Sequence, residues 1–370
     1  MKKLHDCGLA RGLDARDDDE FCFCAHLIEY IMHFAESKKI LERLKDAHSI
    51  LINVHRNPDL DSVGSTLAFK HILNGLGKNV TIIGPHPVEP SFHFLPGVDK
   101  IKTVDFHTFD FMPFDLFLVL DSASAQIVTS DPKLPLPPLP RVVIDHHIGN
   151  TIEAHIKLVK EDASATAEII YYLLRDWKIN IPKDLATILF SAICHDTVFF
   201  KYSENDNETY PIISDLIRRG ADKNAVLFNI YNNLGFEFVK SVASVLSKMR
   251  REKGFVWAAL SHEEYKKMGC PVGLREYVSD HFIQSVEDTW FGFVIIEEDP
   301  GKLCIGFRSK TGLDISILAK KLGGGGHLYR AGATVYEKDF EKGVKKILHT
   351  ARLTTACPTE SVGQRLIKMG

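Results

Sequence analysis

The chain has 370 residues and a formal net charge of −3 at pH 7, and 45% of its residues are hydrophobic and 25% charged. This length favours two domains of roughly 100–200 residues, and the composition is that of a well-packed globular protein. The slightly acidic balance excludes a broad basic surface for long duplex nucleic acid, although a few local cations can still hold a small anion. No apolar run reaches the ~20 residues of a membrane-spanning helix, so we expect no membrane attachment.

The N-terminal tail and the cysteines bear on the cellular compartment. Residues 1–24 form a polar tail without the apolar core of a secretory signal. Seven cysteines are scattered over the chain, and the pair Cys22 and Cys24 has no second pair at zinc-site spacing. Free thiols of this kind are typical of a reducing compartment, so a cytoplasmic protein is expected.

The first half of the chain alternates between apolar runs and helical patterns. Apolar residues recur at helical spacing from about residue 25 to 46, and the acidic stretch after the first strand leads into a helix that continues to about Leu76. Such alternation predicts βαβ units around a mostly parallel sheet. The predicted strands are Ile50–Val54, Asn79–Ile83, Phe114–Asp121 and Arg141–Asp145, and the later helices are Ser164–Trp177 and Asp184–Cys194.

The second half of the chain predicts a smaller mixed α/β domain. Helical patterns run from Pro211 to about Arg251 and suggest a connection between two domains. We therefore expect a first, larger domain over residues 25–215, a helical linker over 216–252, a second domain over 253–355 and a tail over 356–370. The predicted elements of the second domain are the strands Phe255–Leu260, Trp290–Glu297, Leu303–Arg308 and Ala333–Tyr336 and the helices Ile315–Leu322 and Phe340–Leu353.

One imidazole and two carboxylates follow the first predicted strand within seven residues: His55, Asp59 and Asp61. In open α/β sheets ligands bind beyond the carboxyl ends of the strands, so these side chains should face one crevice. Two carboxylates that lie close together repel each other unless a cation separates them. The alternative is that Asn57-Pro58-Asp59 forms only a turn, since these residue types favour turns.

Further acids and histidines follow the other predicted strands and the helix that ends near Cys194: Asp121, Asp145, His146, His147 and Asp196. Parallel strands bring their carboxyl ends to one edge of the sheet, so these groups can converge with His55, Asp59 and Asp61. Buried carboxylates without counter-charges would cost several kcal/mol each, so the cluster needs cations. Mixed oxygen and imidazole ligands suit two divalent metal ions, which together can catalyse a phosphoryl displacement.

Several motifs of the chain resemble those of a known family, the DHH phosphoesterases. The resembling segments, in chain order, are His55-x-x-x-Asp59-x-Asp61, Val119-Leu120-Asp121-Ser122, Asp145-His146-His147 and Asp196-Thr197. The C-terminal segments Arg308-Ser309-Lys310 and 323–333 look like the DHHA1 substrate-binding domain of that family. The resemblance covers roughly residues 25–350, as its motifs are spaced over both domains.

The resemblance implies a set of metal ligands. One ion would take His55, Asp59 and Asp121, and the second would take Asp61, Asp121, His146 and Asp196. His147 would contact the scissile phosphate, and Asp145 would orient a histidine. Mn²⁺ is the usual metal of the resembling family, with Mg²⁺ or Co²⁺ as alternatives, and it agrees with the mixed ligands.

The glycine run in the second domain is expected to bind substrate. Consecutive glycines allow backbone N–H groups to approach a phosphate, although such runs are often only flexible turns. Arg330 stands where a small residue is usual in the family, and it adds a cation beside the run. The expected substrate-binding residues are Arg308, Ser309, Gly324, Gly325, Gly326, His327 and Arg330.

The helix before the first motif and the segment 92–97 look most like the nanoRNase and pAp-phosphatase branch. That branch trims short RNA oligonucleotides to mononucleotides and removes phosphate from 3′-phosphoadenosine 5′-phosphate (pAp). The expected partners are therefore short single-stranded RNAs or small nucleotides, and homodimerisation stays open. The alternatives are a cyclic or linear dinucleotide phosphodiesterase, and a nucleotide-binding regulator that has no catalytic activity.

Overall fold

The computed structural model describes residues 33–201, 205–326 and 328–356. The first of two six-stranded sheets is entirely parallel and has the strand order β3-β2-β1-β4-β5-β6. Its strands, in chain order, are β1 (Ser49–Asn53), β2 (Asn79–Gly84), β3 (Ile101–Thr103), β4 (Leu116–Leu120), β5 (Arg141–Asp145) and β6 (Ile156–Val159).

Helices follow or connect these strands, as the βαβ pattern predicts. They are α1 (Ser37–Asp46), α2 (Leu60–Gly75), α3 (Ala125–Thr129), α4 (Thr166–Asp176) and α5 (Lys183–Asp196). After them come α6 (Asp206–Arg218), α7 (Lys223–Leu227), a π-helical turn at Phe228–Asn232 and α8 (Phe236–Leu246). Short 3₁₀ turns lie at Pro90–Phe92, Val98–Lys100 and Ile283–Ser285.

Both faces of the parallel sheet are covered, which explains why its central strands are continuously apolar. Alternate residues of a strand point to opposite faces. Ile50 and Ile52 of β1 pack into the large core under the helices, whereas Leu51 packs with Phe117 and Val119 of β4 into a second cluster on the opposite face. All five of these side chains are fully buried.

The second sheet is mixed, with the order β11-β12-β10-β9-β8-β7; among its neighbours only β8 and β9 run parallel. Its strands are β7 (Arg250–Glu252), β8 (Gly254–Leu260), β9 (Thr289–Asp299), β10 (Lys302–Ser309), β11 (Gly325–Gly326) and β12 (Arg330–Tyr336). Its helices are α9 (His262–Lys267), α10 (Leu274–His281), α11 (Ser316–Lys321) and α12 (Phe340–Ala356).

The fold class predicted from the sequence is confirmed, with a parallel α/β sheet joined through helices to a smaller mixed α/β unit. The short edge strands β3, β6, β7 and β11 were not predicted from the sequence, and neither were the helices α3, α9 and α10. The predicted helix at residues 25–46 is described only from residue 33, where α1 forms its last part. Within the described ranges, no helix is both long and apolar enough to cross a membrane.

Candidate metal centre

The loop after β1 holds its acidic and imidazole side chains through local hydrogen bonds. Asp59 caps α2, since its Oδ1 accepts the backbone N–H of Ser62 at 3.0 Å. The Ser62 hydroxyl in turn accepts the backbone N–H of His55 at 3.1 Å. His55 Nδ1 lies 2.9 Å from the carbonyl oxygen of Arg56, which leaves Nε2 to face Asp59 Oδ1 at 3.6 Å and Asp121 Oδ2 at 3.4 Å.

Asp121 follows β4 with a left-handed backbone, φ 50°, a conformation that Asp tolerates better than most residues. The fully buried Asn53 fixes this turn: its Oδ1 accepts the backbone N–H of Leu120 at 3.1 Å, and its Nδ2 donates to Ser122 Oγ at 3.2 Å. The Asp121 carboxylate is thereby placed between two histidines. Its Oδ2 faces His55, and its Oδ1 lies 3.6 Å from His146 Nε2.

The two histidines after β5 are oriented by different partners. His146 Nδ1 lies 3.1 Å from the carbonyl oxygen of Ala163, so that Nε2 faces Asp196 Oδ2 at 3.1 Å. His147 Nδ1 lies 2.8 Å from Asp145 Oδ1. Because an imidazole with an Nδ1–H partner presents Nε2 as its other functional atom, both rings have a defined direction.

Asp61 is buried beneath the centre and is engaged by the N-terminus of α4. Its Oδ2 accepts the backbone N–H of Thr166 at 2.6 Å, and its Oδ1 accepts that of Ala167 at 3.0 Å and the Ser65 hydroxyl at 3.2 Å. An anion is stabilised at a helix N-terminus by the free N–H groups and the helix dipole. Each carboxylate oxygen has a second lone pair, so Asp61 can still bind a cation.

These side chains converge into groups whose possible ligand atoms lie within 4.8 Å of one another. Carboxylate and imidazole donors bind transition metals at about 2.0–2.2 Å, so neighbouring ligand atoms 3.1–3.6 Å apart fit around one ion. The residues present therefore fit divalent metal ions. The groups are His55, Asp59 and Asp121; Asp61, His146 and Asp196; Asp121, His146 and His147; and Asp59, His195 and Asp196.

The pKa values show that protons compensate the clustered charge when no cation is bound. Burial lowers the pKa of His55, but Asp59 and Asp121 outweigh it and raise the pKa well above its usual value. The pKa of His146 is raised in the same way, against burial, mainly by Asp196. Burial, followed by the charge of Asp121, raises the pKa of Asp61. The centre thus retains protons near neutral pH at atoms where a cation would bind.

His147 and Asp145 form a polarised pair at the side of the centre. Burial opposes the charged form of both groups, but their mutual hydrogen bond outweighs it, raising the pKa of His147 and lowering that of Asp145. Asn150 donates its Nδ2 to Asp145 Oδ2 at 2.6 Å and to the carbonyl oxygen of Ser122 at 2.9 Å. The pair is therefore held rigidly, as a group that contacts substrate requires.

The second domain reaches the centre through Arg330 on β12. Arg330 Nη1 donates to the backbone carbonyl oxygen of Asp196 at 3.1 Å and lies 3.4 Å from Asp196 Oδ1. Arg308, which was expected to bind substrate, is buried and forms a two-point ion pair with Asp280 of α10. The Ser309 side chain is also fully buried.

The glycine run is shaped by its packing against β12. A Cβ atom on Gly324 would lie 2.0 Å from the carbonyl oxygen of Gly332, and one on Gly326 would lie 2.5 Å from that of Arg330. Gly325 has no atom within 4 Å of that position, so its exposed side is open to a ligand. His327, an expected substrate contact, lies outside the described residues.

Three residues that organise the centre were not predicted from the sequence: Asn53, Asn150 and Thr166. Asn53 is a polar residue at the end of an apolar strand, and Asn150 follows Asp145 closely, so their positions were available signals. Thr166 could not be recognised, because its contacts with Asp61 and Asp121 span 105 and 45 positions in the chain. His195 has a buried Nδ1 that makes no hydrogen bond to the described residues.

Comparison with protein families gives two matches. Residues 49–193 match the model described as the DHH family, N-terminal domain, and residues 271–352 match the DHHA1 domain. The first match contains most of the acids and histidines of the centre, and the second contains Asp280, Arg308 and Arg330.

Comparison with individual proteins gives relatives that extend over most of the chain. The probable bifunctional oligoribonuclease and PAP phosphatase NrnA of Streptococcus mutans is 26% identical over 84% of this chain and 98% of its own length. The cyclic-di-AMP phosphodiesterase GdpP of Bacillus subtilis is 24% identical over 85% of this chain, which spans about half (49%) of GdpP. The crystal structure of an exopolyphosphatase-related protein from Bacteroides fragilis aligns with a TM-score of 0.78 at 25% identity, covering 87% of this chain and 97% of that one.

Proposed function

We propose that this chain, which contains a DHH family N-terminal domain followed by a DHHA1 domain, is a two-metal phosphoesterase that hydrolyses short RNA oligonucleotides to mononucleotides and also dephosphorylates pAp. The observation that carries the proposal is the convergence of two ligand groups on Asp121, whose two oxygens face different histidines. The NrnA relative, 26% identical over nearly its whole length, supports this choice of substrate.

The metal ligands follow from this convergence. His55, Asp59 and Asp121 would hold one ion, and Asp61, His146 and Asp196 would hold the second together with Asp121. Mn²⁺ is the ion we favour because the donor set mixes imidazole with carboxylate oxygen. Two such ions, when bound, supply Lewis acidity toward a phosphoryl oxygen and activate water near neutral pH.

The remaining residues of the centre would bind and orient the substrate phosphate. Asp145 holds the His147 ring through Nδ1, so Nε2 is the atom that would donate a hydrogen bond to a phosphate oxygen. The raised pKa of His147 favours the protonated ring, which suits an anionic partner. Arg330 Nη1 of the second domain lies 3.4 Å from Asp196 Oδ1, and its guanidinium would supply a positive charge for the substrate phosphate.

A product assay with Mn²⁺ tests the proposal directly. The substrates are a dinucleotide, a five-nucleotide RNA, pAp, a cyclic dinucleotide and pyrophosphate, each also incubated with EDTA-treated protein. We expect metal-dependent conversion of the short RNAs to mononucleotides and slower release of phosphate from pAp. No turnover of any substrate would favour a nucleotide-binding regulator and would contradict the proposal.

A second candidate function, hydrolysis of cyclic or linear dinucleotides, is favoured by the GdpP relative. It would use the same metal ligands and His147, so mutation of these residues does not separate the two functions. The ratio of kcat/KM for the cyclic dinucleotide to that for the linear RNA does separate them. A ratio well above one would assign the chain to turnover of signalling nucleotides.

A further inference from the structure

Two arginines of the second domain face each other directly across the β10 and β12 ladder. Arg308 pairs with Arg330 in the antiparallel register, a position at which like charges repel. Arg308 is almost completely buried, with 6% of its side chain exposed, whereas Arg330 is 25% exposed. Two guanidinium groups in this arrangement require an anion nearby.

Asp280 of α10 supplies that anion. Its two carboxylate oxygens accept from Nε and Nη2 of Arg308, and the second of these distances is 3.0 Å. The oxygen that accepts from Arg308 Nε, Oδ1, also lies 3.6 Å from Arg330 Nε. Burial opposes ionisation of Asp280, but Arg308 and Arg330 outweigh it and lower its pKa. One carboxylate therefore lies against two guanidinium groups.

Arg330 reaches from Asp280 to the first domain. The Nε of Arg330 faces Asp280, while its Nη1 contacts both the carbonyl oxygen and Oδ1 of Asp196, which is 134 positions away in the first domain. The planar guanidinium presents its donors in a fixed fork, so a contact at Nε determines where Nη1 points. Asp280 can thus set the direction of Arg330 without touching the metal centre.

We propose that Asp280 is a positioning residue that directs Arg330 toward Asp196 of the first domain, so that its guanidinium binds a substrate phosphate beside that residue. This inference rests on the proposed phosphoesterase function and adds the residue that orients its substrate cation. Arg308 serves as the buried anchor that fixes the Asp280 carboxylate. A phosphate bound at this place would replace Asp196 as the principal anionic partner of Arg330.

The test is a double-mutant cycle with Asp280→Asn, Arg330→Gln and the double variant. The control is Glu298→Gln, which breaks the 2.8 Å ion pair between Arg275 of α10 and Glu298 of β9 in the same domain. All proteins are assayed with Mn²⁺ on a 5′-phosphorylated dinucleotide and on bis(p-nitrophenyl) phosphate, at a temperature below every unfolding transition. KM and kcat are reported separately.

Asp280→Asn and Arg330→Gln are each expected to raise KM for the dinucleotide about tenfold, because a charge-assisted hydrogen bond is lost or misdirected. The double variant should be no worse than Arg330→Gln by more than about twofold, since Asp280 acts through Arg330. Glu298→Gln should leave KM within about twofold of the wild type. The kcat for bis(p-nitrophenyl) phosphate should stay within about threefold of the wild type in Glu298→Gln.

The inference would be overturned if the increase in KM of the double variant equalled the product of the two single increases. An unchanged KM in Asp280→Asn would also overturn it. Asp280→Asn leaves Arg308 buried without a counter-charge, so Asp280→Glu provides a second variant that keeps the charge. Its KM should lie between those of the wild type and Arg330→Gln, and a KM equal to or above that of Arg330→Gln also counts against the inference. Absence of hydrolysis by the wild type would instead refute the proposed function itself.

Discussion

Thr166 donates its hydroxyl hydrogen bond to Oδ1 of Asp121 at 3.0 Å, and both side chains are buried. The same oxygen lies 3.6 Å from His146 Nε2, while the other oxygen lies 3.4 Å from His55 Nε2. Thr166 therefore fixes the rotation of the carboxylate, and each oxygen is directed to a different group of ligands. This is the geometry that a bridging carboxylate needs.

Asp121→Asn is expected to abolish turnover while the protein remains folded. Asn has the same shape and tolerates the left-handed backbone at this position, but its amide nitrogen cannot bind a cation. The activity should fall at least a thousandfold on the short RNA substrate, as expected when a two-metal site loses its bridge. Circular dichroism and calorimetric Mn²⁺ titration would check the fold and the stoichiometry.

Asp99→Asn is a suitable control for that variant, since Asp99 is an exposed acid that forms an ion pair with its neighbour Lys100. It should retain full activity and metal content. Near-normal turnover by Asp121→Asn would mean that the metal ligands are assigned incorrectly.

Metal binding is expected to release protons and to strengthen as the pH rises. The pKa values of His55 and His146 are raised above the usual range by the surrounding carboxylates, against burial, so both rings hold protons near pH 7 in the metal-free protein. A metal ion binds only the neutral imidazole. The apparent affinity should therefore rise by up to about tenfold per pH unit for each proton that is displaced.

Calorimetric titration with Mn²⁺ in two buffers of different ionisation enthalpy measures the number of protons released. His146→Gln should release fewer protons than the wild type. Equal heats in the two buffers at pH 7 would show that no proton is displaced and that the charge distribution described above is wrong.

The sequence was sufficient to predict the strands that are completely buried. It also indicated that the acids and histidines after these strands lie at one edge of the sheet. The strand predicted at Ile50–Val54 is β1, because a strand buried on both faces must be continuously apolar. The edge strand β6 was missed because Lys157 interrupts its short apolar run and only one neighbour pairs with it. The positions of the acids and histidines along the chain predicted that these side chains come together, because parallel strands end at one edge of the sheet.

The sequence could not identify the network around Asp280. Helix α10 has only eight residues and carries Arg275, Glu276 and Asp280 beside few apolar ones, so its apolar pattern is too short to predict a helix. The partner of Arg330 in the first domain lies 134 positions away, and no local pattern encodes such a contact. Arg308 was expected to grip a phosphate, but in the structure its donors are directed to Asp280.

Glu168 is expected to reduce the stability of the metal-free protein as the pH rises. Burial is the main cause that raises its pKa to about 7 from the usual 4.5, although Thr209 and the Ser164 backbone donate hydrogen bonds to it. An acid with a raised pKa in the folded state contributes stability that is complete below pH 4.5 and is lost as the pH rises to 7. A difference of this size corresponds to roughly 3 kcal/mol.

Glu168→Gln should abolish that part of the pH dependence, because the amide does not ionise. The check is urea unfolding of EDTA-treated wild type and variant between pH 4.5 and pH 7.5. The variant should gain stability relative to the wild type as the pH rises, and Glu42→Gln, at an exposed position on α1, should not. Parallel stability curves for the wild type and Glu168→Gln would contradict this expectation.

Substitution of Gly325 can separate the two possible roles of the glycine run, which are packing against β12 and binding of a substrate phosphate. Gly324 and Gly326 are required by the fold, since a Cβ on either would overlap the backbone of β12, whereas a Cβ on Gly325 would meet no atom within 4 Å. Gly324→Ala should therefore lower the stability by several kcal/mol through forced displacement of the strand. Gly325→Ala should leave it within about 1 kcal/mol of the wild type.

If a substrate phosphate approaches the backbone of β11, the methyl group of Gly325→Ala will obstruct it. We expect KM for the five-nucleotide RNA to rise at least fivefold while the unfolding temperature stays unchanged. Gly75→Ala is the matched control, since Gly75 at the end of α2 also has open space around its Cβ position and lies in the first domain. An unchanged KM in Gly325→Ala would mean that the glycines serve only the packing of β11 against β12, and that phosphate recognition depends on side chains such as Arg330.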